Sequence, residues 1–441
     1  MSKPTGKQAV LLIHGIGEQR PMDTLRRFVD TVWKQDSEVQ HEQAIAGLFS
    51  KPDEISDSYE LRRLSTTSDR NNVTTDFYEY YWAHLMTETS VWHVVSWSRR
   101  ILVRSPNSLP ARLRGVWWLL MITLMAGAMF ALLTVLPDDV RPAFLPKWLT
   151  ISLGLVFAWG VVPILKSFVG DAARYLDAAP TNVKARQEIR SQGIEILKRL
   201  HTSQKYDRII VVGHSLGSVI GYDILTYAWP AFAPQIDTAR GGSILNETEA
   251  MAASDNVNSE SYRNQQRRQF DEARANGCKW LVTDFVTLGS PLTHADVLLA
   301  RDESDRKSKQ SERELPTCPP ILEKGKFSYP PELKTRFLHH AALFGLTRWT
   351  NLYFPASYII RGDFIGGPVC AQFGPGILDC KVHTKLRRGF LSHTLYWAPQ
   401  VPGDEARIAT LRTALNLLDA RHTPQVTEKA VDEEIDGETE S

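Results

Sequence analysis

A serine hydroxyl becomes a nucleophile at neutral pH only when a base takes its proton and a carboxylate holds that base in the useful tautomer. Ser215 stands in Gly213-His214-Ser215-Leu216-Gly217, directly after the apolar run Ile209 to Val212 and before a segment with helical spacing. Strand, sharp turn and helix form the setting in which small residues flank a serine and a strained backbone pushes its hydroxyl out above a sheet. Asp363 and His393 follow in the order serine, acid, histidine. Asp363 lies in a turn after the short apolar stretch Tyr358 to Ile360, and His393 follows a segment containing Val382 and Leu386. Asp296 and Asp379 compete for the part of the acid, and His383 for that of the base. Such a set points to acyl transfer, which also needs N–H donors for the oxyanion. Ile16, in the turn His14-Gly15-Ile16-Gly17, and Leu216, next after the serine, are assigned to that oxyanion hole. His14, Gly15, Gly17 and His214 on the same turns, and Ser290 on a later one, are assigned to substrate binding; the bland alternative for the first turn is a plain glycine turn with a structural His14. His339 and His340 are adjacent, a spacing that makes no metal site, and the reading calls for no metal and no cofactor.

The elements that must carry these residues read as an α/β chain. Ala9 to Ile13 is continuously apolar, as in a strand buried on both faces of a mostly parallel sheet. Thr24 to Lys34 has helical spacing, Ser50 to Thr75 is polar and reads as loop, and Phe77 to Trp82 has strand preference. Ile189, Ile194, Ile196, Leu197 and Leu200 predict an amphipathic helix before the serine turn, and Val219, Ile220, Ile224 and Tyr227 predict one after it. Phe285 to Leu288 is a further strand ending in Gly289-Ser290-Pro291, at the strand edge where open α/β sheets form sites. Leu411, Leu415 and Leu418 suggest a last helix.

The chain has 441 residues, enough for one large domain with insertions, and a net charge of +1 that singles out no partner and gives no reason to expect nucleic acid. Four cysteines without zinc-like spacing read as free thiols, with a Cys370–Cys380 disulfide left open. Val116 to Leu136 is an uncharged run of 21 residues, long enough at 1.5 Å per residue for a bilayer core, and Trp148 to Leu165 is a second. Together they predict a transmembrane helical hairpin. Arg99, Arg100, Arg104, Arg112 and Arg114 before it and Lys166, Arg174 and Lys184 after it put both flanks on the cytoplasmic side. A hydrophobic hairpin buried in an oligomer or lying flat on the membrane is the competing reading. The expected division is 1–98 for the first part of the core and 99–170 for the basic flank and hairpin. The second part spans 171–420, with polar insertions at about 229–279 and 301–345, and 421–441 is an acidic disordered tail. The helical stretch near Ser259 to Asn276 reads as a solvated surface helix by default, with a lid over the site or a contact with lipid headgroups as alternatives.

Residues His14 to Gly17, Gly213 to Leu225, Leu288 to Leu292 and Ser392 to Trp397 resemble the α/β-hydrolase superfamily, especially its lipase-like branches. The run GHSLGSVIGYDIL resembles the corresponding turn and helix of DDHD-type intracellular phospholipases, and HGIG and LGSPL fit the same pattern. The resemblance covers the core and not the hairpin. It implies ester hydrolysis on a lipid. The functional expectation is therefore a membrane-anchored serine hydrolase with Ser215, Asp363 and His393 as its catalytic residues and the bilayer and a lipid or other ester as partners. A thioesterase or depalmitoylase, or a silent membrane-bound scaffold of the same fold, is the alternative, and the oligomeric state is open.

Overall fold

Ala9 to Ile13 have no solvent exposure because their strand, β1 (Gly6–Ile13), lies inside a sheet with parallel neighbours on both sides, β4 (Val73–Tyr80) and β5 (Arg208–His214). The computed structural model describes residues 6–16, 20–36, 39, 47–86, 105–106, 111–135, 137, 146–152, 154–155, 175, 180–233, 235–237, 243–254, 256–330, 335–356, 362–363, 365–384, 390–398 and 404–419. Beyond β5 the sheet continues in parallel through β7 (Val282–Leu288), β10 (Arg348–Tyr353) and β11 (Leu378–Lys381). Its other edge is antiparallel, β3 (Arg62–Thr66) beside β4 and β2 (Leu48–Pro52) outermost, giving the order β11-β10-β7-β5-β1-β4-β3-β2. Ser50 to Thr75, which reads as loop, thus holds β3 and parts of β2 and β4. Arg62 and Arg63 hide β3 from a hydropathy pattern.

Side chains alternate between the faces of a strand, so each face of the sheet gathers its own core. Leu11, Ile13, Tyr80 and Val211 pack under α3 (Pro180–Thr202) and α4 (Leu216–Ala228) with Ile189, Leu197 and Val219. On the opposite face Val10, Leu12, Phe77 and Val212 meet Leu25 and Phe28 of α1 (Asp23–Val29) and Leu411 and Leu415 of the last helix, α8 (Glu405–Leu415). The region after α4 builds onto this core. Helices α5 (Ser243–Ala252) and α6 (Ser259–Ala275) are followed by α7 (Glu303–Ser311), and β6 (Gln235–Asp237), β9 (Thr335–Leu338) and β8 (Ser328–Tyr329) form a small second sheet. Helix α6 is not the solvated surface helix its composition suggests. Tyr262, Gln265, Gln266, Gln269 and Phe270 are buried, and Gln266 donates to the carbonyls of Phe344 at 2.6 Å and Thr347 at 3.0 Å. Glutamines with backbone partners can be buried at little cost, which charge and hydropathy do not register.

The hairpin expectation is overturned: among the described residues no helix is long and apolar enough to cross a membrane. The run at 116–136 falls largely on helix α2 (Ala111–Val135), with Trp117 buried and Trp118 edge-on to it. Of the second run, residues 148–152 and 154–155 are helical, and the rest falls outside the described residues. With the hairpin fall the inserted transmembrane element of the expected fold class, the bilayer as partner, the two-span membrane location with a cytoplasm-facing site, and the membrane-anchored hydrolase or scaffold acting on lipid. What stands is a mixed α/β architecture, a sheet flanked by helices.

Candidate active site

β5 is buried along its whole length and ends in the turn that the glycines make possible. Ser215 has φ 52° and ψ −128°, a left-handed conformation that costs a non-glycine residue on the order of 1–3 kcal/mol and persists only where its surroundings hold it. Here they do. Ser215 N–H donates to Leu288 O of β7 at 2.9 Å, while Ser215 O accepts from Ser218 N–H at 2.9 Å and from Ser218 Oγ at 2.6 Å. A methyl group on Gly217 would lie 2.2 Å from Ile13 O, and one on Gly213 would lie 2.5 Å from Ser218 Cα. Both positions must be glycine for α4 to start this close to β1.

Two loops from the carboxyl edge of the sheet bring the remaining groups to that serine. His393, in the turn Phe390–Thr394, places Nε2 2.7 Å from Ser215 Oγ and Nδ1 2.8 Å from Asp363 Oδ2. Asp363 Oδ1 accepts from the N–H groups of Ile365 and Gly366, each at 2.9 Å, and Oδ2 also accepts from Tyr396 Oη at 2.8 Å. Burial would raise the Asp363 carboxyl, but the charge of His393 and the hydrogen bonds from His393, Gly366 and Tyr396 outweigh it and hold the group below the usual carboxylate range. An ionised Asp363 keeps the proton of a neutral His393 on Nδ1, which leaves the Nε2 lone pair facing the serine hydroxyl. That is the tautomer a general base requires.

The competing residues lie elsewhere. Asp296 pairs with Arg306 at 2.5 Å, Asp379 accepts from Asn351 Nδ2 and the N–H groups of Val369 and Cys370, and His383 is exposed. Leu216 N–H is in the first turn of α4, where helix N–H groups have no partner within the helix, and Ile16 is half-buried beside the turn from β1. A methyl on Gly15 would touch both Ser215 Cβ and His214 Nδ1 at 2.9 Å, so the β1 turn lies directly against the serine turn. Gly17 falls outside the described residues, as does Tyr358 to Ile360.

The other residues assigned to substrate binding have partners within the scaffold. His14 stacks on Trp82 at 5.1 Å, pairs through Nδ1 with Gly15 O at 2.8 Å and accepts Trp82 N–H on Nε2 at 3.3 Å. Burial lowers it to about 4. His214 donates from Nε2 to His393 O at 2.9 Å and lies edge-on to Trp397; burial and then the neighbouring His393 lower it to about 3, so it stays neutral. Ser290 is fully buried, with its hydroxyl 2.7 Å from Ser218 Oγ.

Two features escape a reading by residue type. Tyr396 shares Asp363 with His393, and its only sequence signal is a position three residues beyond that histidine. Gly289 has φ 59°, and a methyl there would lie 2.7 Å from the Tyr396 ring, 2.9 Å from Asp363 Oδ2 and 3.0 Å from His393 Nδ1. Its missing side chain is the space in which the acid and base meet. No protein-family model, no curated protein and no solved structure matches this chain.

Proposed function

We propose that the chain is a serine ester hydrolase of the α/β-hydrolase kind, with Ser215 as nucleophile. The observation that carries this reading is the continuous line of hydrogen bonds from Ser215 Oγ through His393 to Asp363, set on a strained turn at the carboxyl edge of a parallel sheet. His393 takes the hydroxyl proton as Ser215 attacks an ester carbonyl, and Asp363 stabilises the imidazolium that forms. The N–H groups of Leu216 and Ile16 are the donors assigned to the oxyanion, each worth roughly 10²–10³ in rate at such sites. The tetrahedral adduct collapses when His393 returns the proton to the departing alcohol. Water, deprotonated by the same histidine, then releases the acid and restores Ser215.

The full chain treated with a fluorophosphonate probe is expected to label, and to hydrolyse p-nitrophenyl acetate. Ser215→Ala should abolish labelling and lower turnover by about 10⁴-fold or more while the unfolding midpoint stays within a few degrees. A folded wild-type chain that neither labels nor hydrolyses the ester, or labelling that persists in Ser215→Ala, would sink the proposal.

A further inference from the structure

Asp363 Oδ2 serves two donors at once, His393 Nδ1 and Tyr396 Oη, each at 2.8 Å. The tyrosine is held in place independently of the histidine. Its oxygen accepts the N–H of Phe354, just past the end of β10, at 3.2 Å, and its ring packs on Phe354 with centroids 4.8 Å apart. A directed relay results, from Phe354 N–H to Tyr396 Oη–H to Asp363 Oδ2. The backbone donor polarises the phenol, and the phenol takes up part of the charge that the carboxylate would otherwise present to the imidazole. Nothing in ester cleavage requires a second donor on this oxygen, and one that weakens the acid–base pair has a consequence for the base.

Resting on the hydrolase reading above, we infer that Tyr396 is a positioning residue that sets the pH at which His393 works as a base, by sharing the charge of Asp363. Removing its hydroxyl leaves a carboxylate that stabilises the imidazolium more, so the base stays protonated to higher pH. A stronger donor at the same place does the reverse. Among the described residues the ionisable groups packed around the pair are few. Besides Ser215 and Tyr396 they are His214, with its ring 5.0 Å from that of His393, and His14 beyond it. Burial keeps both neutral above about pH 4, so neither changes charge where an imidazole base ordinarily titrates.

The test uses the full chain with Tyr396→Phe and, separately, with 3-fluorotyrosine at position 396, whose phenol is the stronger donor. In the Phe variant the acidic limb of kcat/KM for p-nitrophenyl acetate should move to higher pH by about half a unit to one unit. The fluorinated variant should move it to lower pH by about a few tenths of a unit, with the plateau within about tenfold in both. A residue that only fills space would move neither limb in these opposite senses. Proton NMR of the His393 Nδ1–H gives a readout that needs no turnover: further downfield for Phe, upfield for fluorotyrosine. If the wild-type chain proves inactive on esters, the hydrolase reading fails and the NMR comparison still decides the charge sharing. Should Phe at 396 prevent folding, fluorotyrosine against tyrosine carries the test alone. An unmoved limb and proton, or movement of both variants in the same sense, overturns the inference.

Discussion

Arg208, Asp284 and Arg348 lie buried together towards the amino ends of β5, β7 and β10, and Ser215, His393 and Asp363 lie buried together beyond the carboxyl ends of the same sheet. At the amino end Arg208 donates to Asp284 Oδ2 at 2.6 Å, Thr283 Oγ1 at 2.7 Å, and the carbonyls of Asn416 and Leu415 at the end of α8. Arg348 pairs with Asp284 at 2.8 Å and reaches Asp419. Each carboxylate meets guanidinium groups, Asp419 that of Arg267 as well at 2.8 Å, the helix end receives a positive charge where its dipole favours one, and no proton has reason to move. At the carboxyl end a single carboxylate faces a histidine whose other nitrogen meets a serine hydroxyl. One cluster spends its charge on holding α8 to the sheet, and the other leaves a proton free to transfer. Burial of ionisable groups therefore does not mark a site; a carboxylate that meets an imidazole beside a hydroxyl, instead of a guanidinium, does.

The sharpest break in this comparison comes from Asp363→Asn. The amide can still accept the Ile365 and Gly366 N–H groups through its oxygen, so the loop keeps its shape. Its NH₂ then faces His393 Nδ1 and forces the imidazole proton onto Nε2, where it points at Ser215. Turnover should fall by about 10⁴-fold with little loss of stability. Esterase assays beside thermal unfolding would decide it, and a variant that keeps wild-type turnover would show that the carboxyl-end cluster is as static as the other.

Arg208→Met makes the complementary cut. It removes a partner of buried Asp284 and the charge at the end of α8, and breaking such a pair costs about 3–5 kcal/mol. Urea unfolding should register that loss, while fluorophosphonate labelling of the folded fraction proceeds at the wild-type rate. Comparable stability with impaired labelling would reverse the roles given to the two ends.

How much of this division was legible in the sequence depends on what each element hides. The serine turn announces itself through glycines around a strand-to-helix junction, and Asp363 and His393 follow it in order. The strand leading to the Asp363 loop does not announce itself. Read from hydropathy it falls at Tyr358 to Ile360, outside the described residues, whereas β10 lies at Arg348–Tyr353 with Arg348, Thr350 and Asn351 buried among its apolar residues. Asn351 is tied to Thr287, Gly367 and Asp379, so a polar side chain inside a sheet is satisfied by partners that no periodicity predicts. β8, two residues long, is too short to show a period at all. The apolar run at 116–136 errs the other way, because its composition is conspicuous and its surroundings are not written in it.

Glu79 sharpens the comparison from a third position, since it sits on the carboxyl half of β4 and takes no part in the proposed chemistry. Its Oε2 accepts Met22 N–H at 2.7 Å, and burial, with a smaller push from Asp23, raises it to about 7. A carboxyl raised from its ordinary value of 4.5 binds its proton more tightly in the folded chain than in the unfolded one. Its contribution to stability is complete below about pH 4.5 and is lost as pH rises through about 7, a difference of about 3 kcal/mol across that window. The buried histidines His14, His201, His214 and His339 run the opposite way, because burial lowers them and stability returns as pH rises towards their unfolded value. The wild-type profile is therefore a sum, and the comparison with Glu79→Gln isolates the one carboxyl. Between pH 5 and pH 8 the Gln variant should gain about 2–3 kcal/mol relative to wild type in urea unfolding, with the pH profile of ester hydrolysis unchanged. Parallel stability curves would show that Glu79 is ionised throughout, and a displaced activity profile would bring it into the chemistry of the edge it occupies.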